Sequence, residues 1–182
     1  MSEQPWRNPR PAPELEEIRR RVPAAQMIPA WVRAWWPAAI WACIIFTLST
    51  DSFSAEHTSR IIIPLLHWIF PRLDPEQIET YHHYIRKTAH FSEYFVFYLL
   101  LFRGVRAGRP GWRWTWGLAA LSLAAGYSVL DEIHQAFVIS RTASPWDSLL
   151  DSVGAFVATL AVFLWYFFRR NRKTAESFSG ET

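Results

Sequence analysis

From Ser152 to Phe168 the chain runs through seventeen residues without one charged side chain. Three further apolar segments precede it, at about Trp35 to Thr50, Ile85 to Phe102 and Trp112 to Leu130. Each approaches the ~20 residues that carry a helix across ~30 Å of hydrocarbon. Eleven tryptophans point the same way. Soluble domains rarely hold so many, whereas membrane proteins set Trp at the water–lipid boundary. The mean hydropathy near zero only averages polar tails with apolar spans.

The sequence therefore predicts an all-α membrane protein. A cytoplasmic N-terminal segment (1–34) is partly disordered, a four-helix transmembrane domain follows (35–168), and residues 169–182 form a cytoplasmic tail. Residues 1–13 are Pro-rich, and 14–22 can form a short amphipathic helix. The first span begins near Pro37, which suits the first turn of a helix. With a long polar stretch before it and no cleavage site after it, it reads as an uncleaved anchor. Residues 51–84 form a large outer loop. Within it, Ile61 to Phe70 is apolar but too short to span, and reads as an interfacial or re-entrant segment.

Basic residues give the orientation. Arg7, Arg10, Arg19, Arg20, Arg21 and Arg33 precede the first span, Arg103, Arg106, Arg109 and Arg113 join the second to the third, and Arg169, Arg170, Arg172 and Lys173 follow the fourth. These are 14 of the 19 Lys and Arg, so both termini lie in the cytoplasm. Basic residues clustered beside apolar segments are topology signals; they exclude a nucleic-acid partner. The single cysteine, Cys43, permits no internal disulfide.

Polar residues inside the spans carry the functional information. Glu93 lies ten residues before Arg103, or ~15 Å along a helix, which is about half the hydrocarbon thickness. His90 is one turn further out and Lys87 another, with Tyr94 on the same face. The third span ends in Asp131, Glu132, His134 and Gln135; the fourth begins with Asp147 and Asp151, and Arg141 lies between. Since a charge at the bilayer centre costs at least ~2.5 kcal/mol, these groups are expected to face one another across an outward-facing polar pocket.

Blander roles stand beside this one. Asp147 and Asp151 suit a helix N-terminus, Lys87 can snorkel, and His134 and Gln135 can be ordinary interfacial residues. Arg141 can merely pair within its loop. His82 and His83, between Tyr81 and Tyr84, read as a solvent-side loop feature. No metal-ligand spacing occurs and no metal or cofactor is expected, although Asp131, Glu132, Asp147 and Asp151 are the carboxylates that a divalent ion would use.

Three motifs in order carry a family resemblance. They are Lys87-x-x-His90-Phe91-x-x-Tyr94, then Asp131-Glu132-x-His134-Gln135-x-Phe137, then Arg141-Thr142-Ala143-Ser144-x-x-Asp147 leading to Asp151 and Gly154. Together they resemble the VanZ-like family over about residues 37–168. Ser49-Thr50-Asp51 resembles the Ser-rich end of the family's first helix, while Ile139-Ser140 departs from the Pro-Gly common before the arginine. The resemblance implies a four-helix membrane protein with a role at the cell envelope. It also implies a link to glycopeptide antibiotic resistance, as the founding member is associated with teicoplanin resistance. It supplies no established reaction.

Three functions follow from these residues. A binding protein would hold a membrane lipid, an envelope precursor or a glycopeptide-related ligand, with Lys87 and Arg141 taking phosphate or carboxylate. A membrane enzyme would use Glu93 with His90, or Asp131 with Glu132, in acid–base chemistry on a lipid-linked substrate. A transporter would relay protons through Glu93 and His90, but no inverted repeat is visible. Binding is the preferred reading, and whether any reaction is catalysed stays open.

Overall fold

The computed structural model describes residues 28–50, 55–138 and 144–179, with side chains for 28–50, 58–138 and 144–172. The expectations for residues 1–27, for Asp51 and for Arg141 lie outside these. Five helices follow in order: α1 (Ala30–Leu48), α2 (Ala55–Ile69), α3 (Pro75–Arg106), α4 (Trp114–Gln135) and α5 (Pro145–Ser179). No strand occurs among the described residues. Two stretches, Ala30–Leu48 and Pro145–Arg172, are long and apolar enough to cross a membrane. α3 and α4 contain the other two apolar segments but carry more polar and small side chains.

α1 begins at Ala30, earlier than expected, so Pro37 lies inside the helix and not in its first turn. A helical proline has no N–H to give the carbonyl four residues back, here that of Arg33. Arg103 of α3 fills the gap: Nη2 donates to the Arg33 carbonyl at 2.8 Å, and Nη1 to that of Ala34 at 2.9 Å. The kink-prone turn of α1 is thus stapled to α3.

The described part of residues 51–84 is mostly helix, not loop. Asp74 caps α3, accepting from the Gln77 N–H at 2.8 Å, while the Gln77 side chain accepts from the Asp74 N–H at 3.2 Å. Pro75 occupies the first turn. This capping box starts α3 ten residues ahead of the apolar segment at Ile85. Residues 61–69 belong to α2, which carries Pro64 inside it and packs on α3. His82 is buried, as is Ile78 one turn before it, which corrects its reading as a solvent-side residue.

α3 is the hub and packs against each of the other four helices. It contributes Tyr94, Phe97, Tyr98, Leu101 and Phe102 to the core, with Ala38 and Ile45 from α1. Trp116 apart, α4 and α5 contribute small residues, and Ala120, Ala124, Ala155 and Ala158 are fully buried. Large apolar side chains instead face outward, among them Phe46, Leu123, Leu130, Phe156 and Leu164. Small inside and large outside is how helices pack when the surroundings are as apolar as the core. The closest approach is at Gly154, where a Cβ would collide with the carbonyl of Phe91.

Candidate functional site

α3, α4 and α5 bring their ionisable groups to one end of the bundle, in three linked clusters. In the first, Lys87 Nζ of α3 pairs with Asp147 Oδ1 in the first turn of α5. This turn favours a carboxylate through the helix dipole, so the capping and pairing roles coincide.

In the second, His90 Nδ1 lies 4.0 Å from Glu93 Oε2 and 3.8 Å from Asp151 Oδ1. The imidazole thus bridges a carboxylate of its own helix and one from α5. His90 and Glu93 are each about one-fifth exposed, whereas Asp151 is buried. Asp151 can reach this depth because Gly154, three residues on, lets α5 close against the α3 backbone. Tyr94, one turn beyond His90, is fully buried, with its hydroxyl within electrostatic range of Asp131, Asp151 and Glu93.

The third cluster ties α4 to the end of α1. Asp131 Oδ2 accepts from Ser49 Oγ at 2.8 Å and from Gln135 Nε2 at 2.9 Å, and all three residues are buried. Nearby, Tyr127 donates to the Ala42 carbonyl at 2.7 Å, and Trp41 Nε1 donates to the Glu93 carbonyl at 3.0 Å. α1 therefore holds both α3 and α4 at this level.

Glu132 accepts from the backbone N–H of Ser144, which pins the α4–α5 connection. His134 turns away from the clusters and lies against Phe46 of α1, with ring centroids 4.4 Å apart. Among the described residues, no group of three or more His, Cys, Asp or Glu converges closely enough to hold a metal ion.

Among the described residues the arrangement is strongly acidic. Asp151 lies within electrostatic range of Asp131, Glu93, Asp147 and Glu132, while Lys87 is taken up by Asp147. Three buried acceptors or donors, Asp131 Oδ1, Asp151 Oδ1 and the Tyr94 hydroxyl, have no hydrogen-bond partner. Buried polar atoms are satisfied in the great majority of cases, so these three can each take a further hydrogen bond. Lys87, His90, Glu93 and Asp147 form its part-exposed rim. Such a site can accept hydrogen bonds and balance positive charge.

A family model described as VanZ/LLP1 matches residues 34–175. The chain belongs to the VanZ/LLP1 family. The matched stretch holds every candidate residue named above. No curated protein and no solved structure gives a significant match.

In this VanZ/LLP1 chain the serines are what reasoning from charged residues missed. Ser49 supplies one of the two donors to Asp131. Ser128 Oγ lies 3.0 Å from Ser148 Oγ and 3.3 Å from Ser152 Oγ, joining α4 to α5 through hydroxyls. The signal for Ser49 was the polar run that closes the first apolar segment. Ser148 and Ser152, one turn apart beside Asp147 and Asp151, carried a similar one.

Proposed function

We propose that this VanZ/LLP1 family member is a multi-pass inner-membrane protein in which α1, α3, α4 and α5 are the spans and both termini are cytoplasmic. The polar network between them is an outward-facing site that binds the head group of a lipid or cell-wall-related envelope ligand. The observation that carries this reading is the convergence of Lys87–Asp147, His90–Glu93–Asp151 and Asp131–Gln135–Ser49 at one end of the bundle. The arginine-rich turns stand at the other end, as the positive-inside rule asks. Intramembrane carboxylates are costly enough to be kept for function. The outward-facing large apolar side chains suit lipid contact.

The chemistry narrows the ligand. With Lys87 held by Asp147, the site favours a head group rich in donors, such as hydroxyls, amides or an ammonium, over one recognised through phosphate. Occupying or shielding such a ligand is how the protein would alter glycopeptide (teicoplanin-type) susceptibility.

The test begins with protein purified from membranes, whose bound lipids are identified by mass spectrometry. A donor-rich envelope lipid retained by the wild type and lost in Glu93→Gln and His90→Ala, with folding intact, supports binding. The same lipid content in variants and wild type would sink it. Glycopeptide susceptibility of cells carrying these variants shows whether the site matters for resistance.

The position of His90 between two carboxylates favours a second reading, a membrane enzyme using acid–base chemistry on a lipid-linked substrate. Covalent change of a lipid-linked precursor by the purified wild type, but not by His90→Ala, would select it over binding.

A further inference from the structure

The opposite end of the bundle holds a cavity of about 610 Å³, far from the carboxylates, where the end of α3, the 107–113 turn and the last part of α5 meet. Arg106, Arg169 and Arg170 line it, together with Trp112, Phe163 and Tyr166. Basic clusters remote in sequence are thus brought into one wall. Arg106 Nη1 donates to the Tyr166 hydroxyl and locks the two helices together there. Two buried donors in the lining, Arg106 Nε and Trp112 Nε1, have no hydrogen-bond partner. The aromatic part is rigid: Trp112 packs on Phe102 and Phe163, with centroids 5.3 and 5.7 Å apart.

From this we infer a second ligand site, for an anionic phospholipid of the cytoplasmic leaflet. The phosphate sits among Arg106, Arg169 and Arg170, and the glycerol and upper acyl chain lie against Phe163 and Tyr166. A free anion would use the arginines but has no use for the aromatic wall. A zwitterionic lipid would fill the wall but bring no net negative charge to the arginines. The cytoplasmic leaflet supplies the matching charge, at about fivefold in binding per Lys or Arg. This inference rests on the membrane placement proposed above, but not on the ligand of the acidic site.

The experiment uses the full chain in neutral detergent with equal amounts of phosphatidylglycerol and phosphatidylcholine, read by native mass spectrometry. The wild type should retain phosphatidylglycerol preferentially. Arg169→Gln with Arg170→Gln, two exposed positions, should lower that retention by about 25-fold while leaving the unfolding midpoint without lipid unchanged. Arg72→Gln, an exposed position at the other end and outside both sites, should leave retention unchanged. Equal retention of the two lipids, or an unaltered preference in the arginine variant, overturns the proposal. So does inorganic phosphate stabilising the protein against heat as well as the lipid does, since the site would then be one for a free anion. Carbonate extraction separates the two readings. Release of the chain from membranes sinks the membrane placement, whereas retention without lipid preference sinks only this site.

Discussion

Gly154 of α5 lies so close to the Phe91 carbonyl of α3 that no side chain fits between them. The contact is next to His90 in sequence and three residues from Asp151, so it sets how near these two groups come. In Gly154→Ala the helices must part or shift. The expected cost is about 1–3 kcal/mol, read as a lower unfolding midpoint. Gly126→Ala is the control, because its Cβ would meet nothing within 4 Å. Equal midpoints for the two variants would mean that α3 and α5 are not held together here.

Arg103 and Pro37 should be coupled. Arg103→Met removes both donors to the Arg33 and Ala34 carbonyls, with an expected loss of about 1.5–3 kcal/mol for bonds from a charged donor. Pro37→Ala restores the missing N–H, so Arg103→Met should cost less in that background. A double-mutant cycle on unfolding free energies measures the difference. Strict additivity would show that the staple does not compensate for the proline.

Ser49 and Gln135 share the burden of Asp131. Ser49→Ala should destabilise by about 1–3 kcal/mol, because it removes a donor from a buried carboxylate. Adding Asp131→Asn should recover part of this loss, since the neutral amide needs fewer donors. A double variant worse than the sum of its parts would argue that Ser49 and Asp131 do not act through this bond.

The Lys87–Asp147 pair is part-exposed at the rim, at 31% and 29%. Solvent screening limits its coupling to about 1 kcal/mol, measured by a cycle of Lys87→Met and Asp147→Asn. Ligand retention should fall more than stability does, because both residues border the site. Unchanged retention in both single variants would remove the rim from the binding surface.

The sequence made most of the architecture legible through a few contrasts. Apolar segments parted by arginine clusters located the long helices, and polar residues within them located the network. His90, Glu93, Asp131 and Asp151 announced themselves because charge is conspicuous in an apolar run. What stayed hidden depended on pairing between segments. His134 shares a helical face with Asp131, yet Phe46 of α1 claims its ring, and nothing local could reveal that. The true start of α3 was readable in Asp74-Pro75-Glu76-Gln77, but the apolar period begins only at Ile85 and drew attention away from it. His82 looked solvent-bound among Tyr and His neighbours, and only the packing of α2 against α3 brings it inside.

The capping box at Asp74 has a mechanical consequence. It makes α3 one unbroken rod of 32 residues, or ~48 Å, appreciably longer than the ~30 Å thickness of a bilayer's hydrocarbon. α2 rests on its N-terminal part, and Arg103 fastens its C-terminal end to α1. No helix break separates the part that α2 packs on from His90 and Glu93, so the two belong to one rigid element.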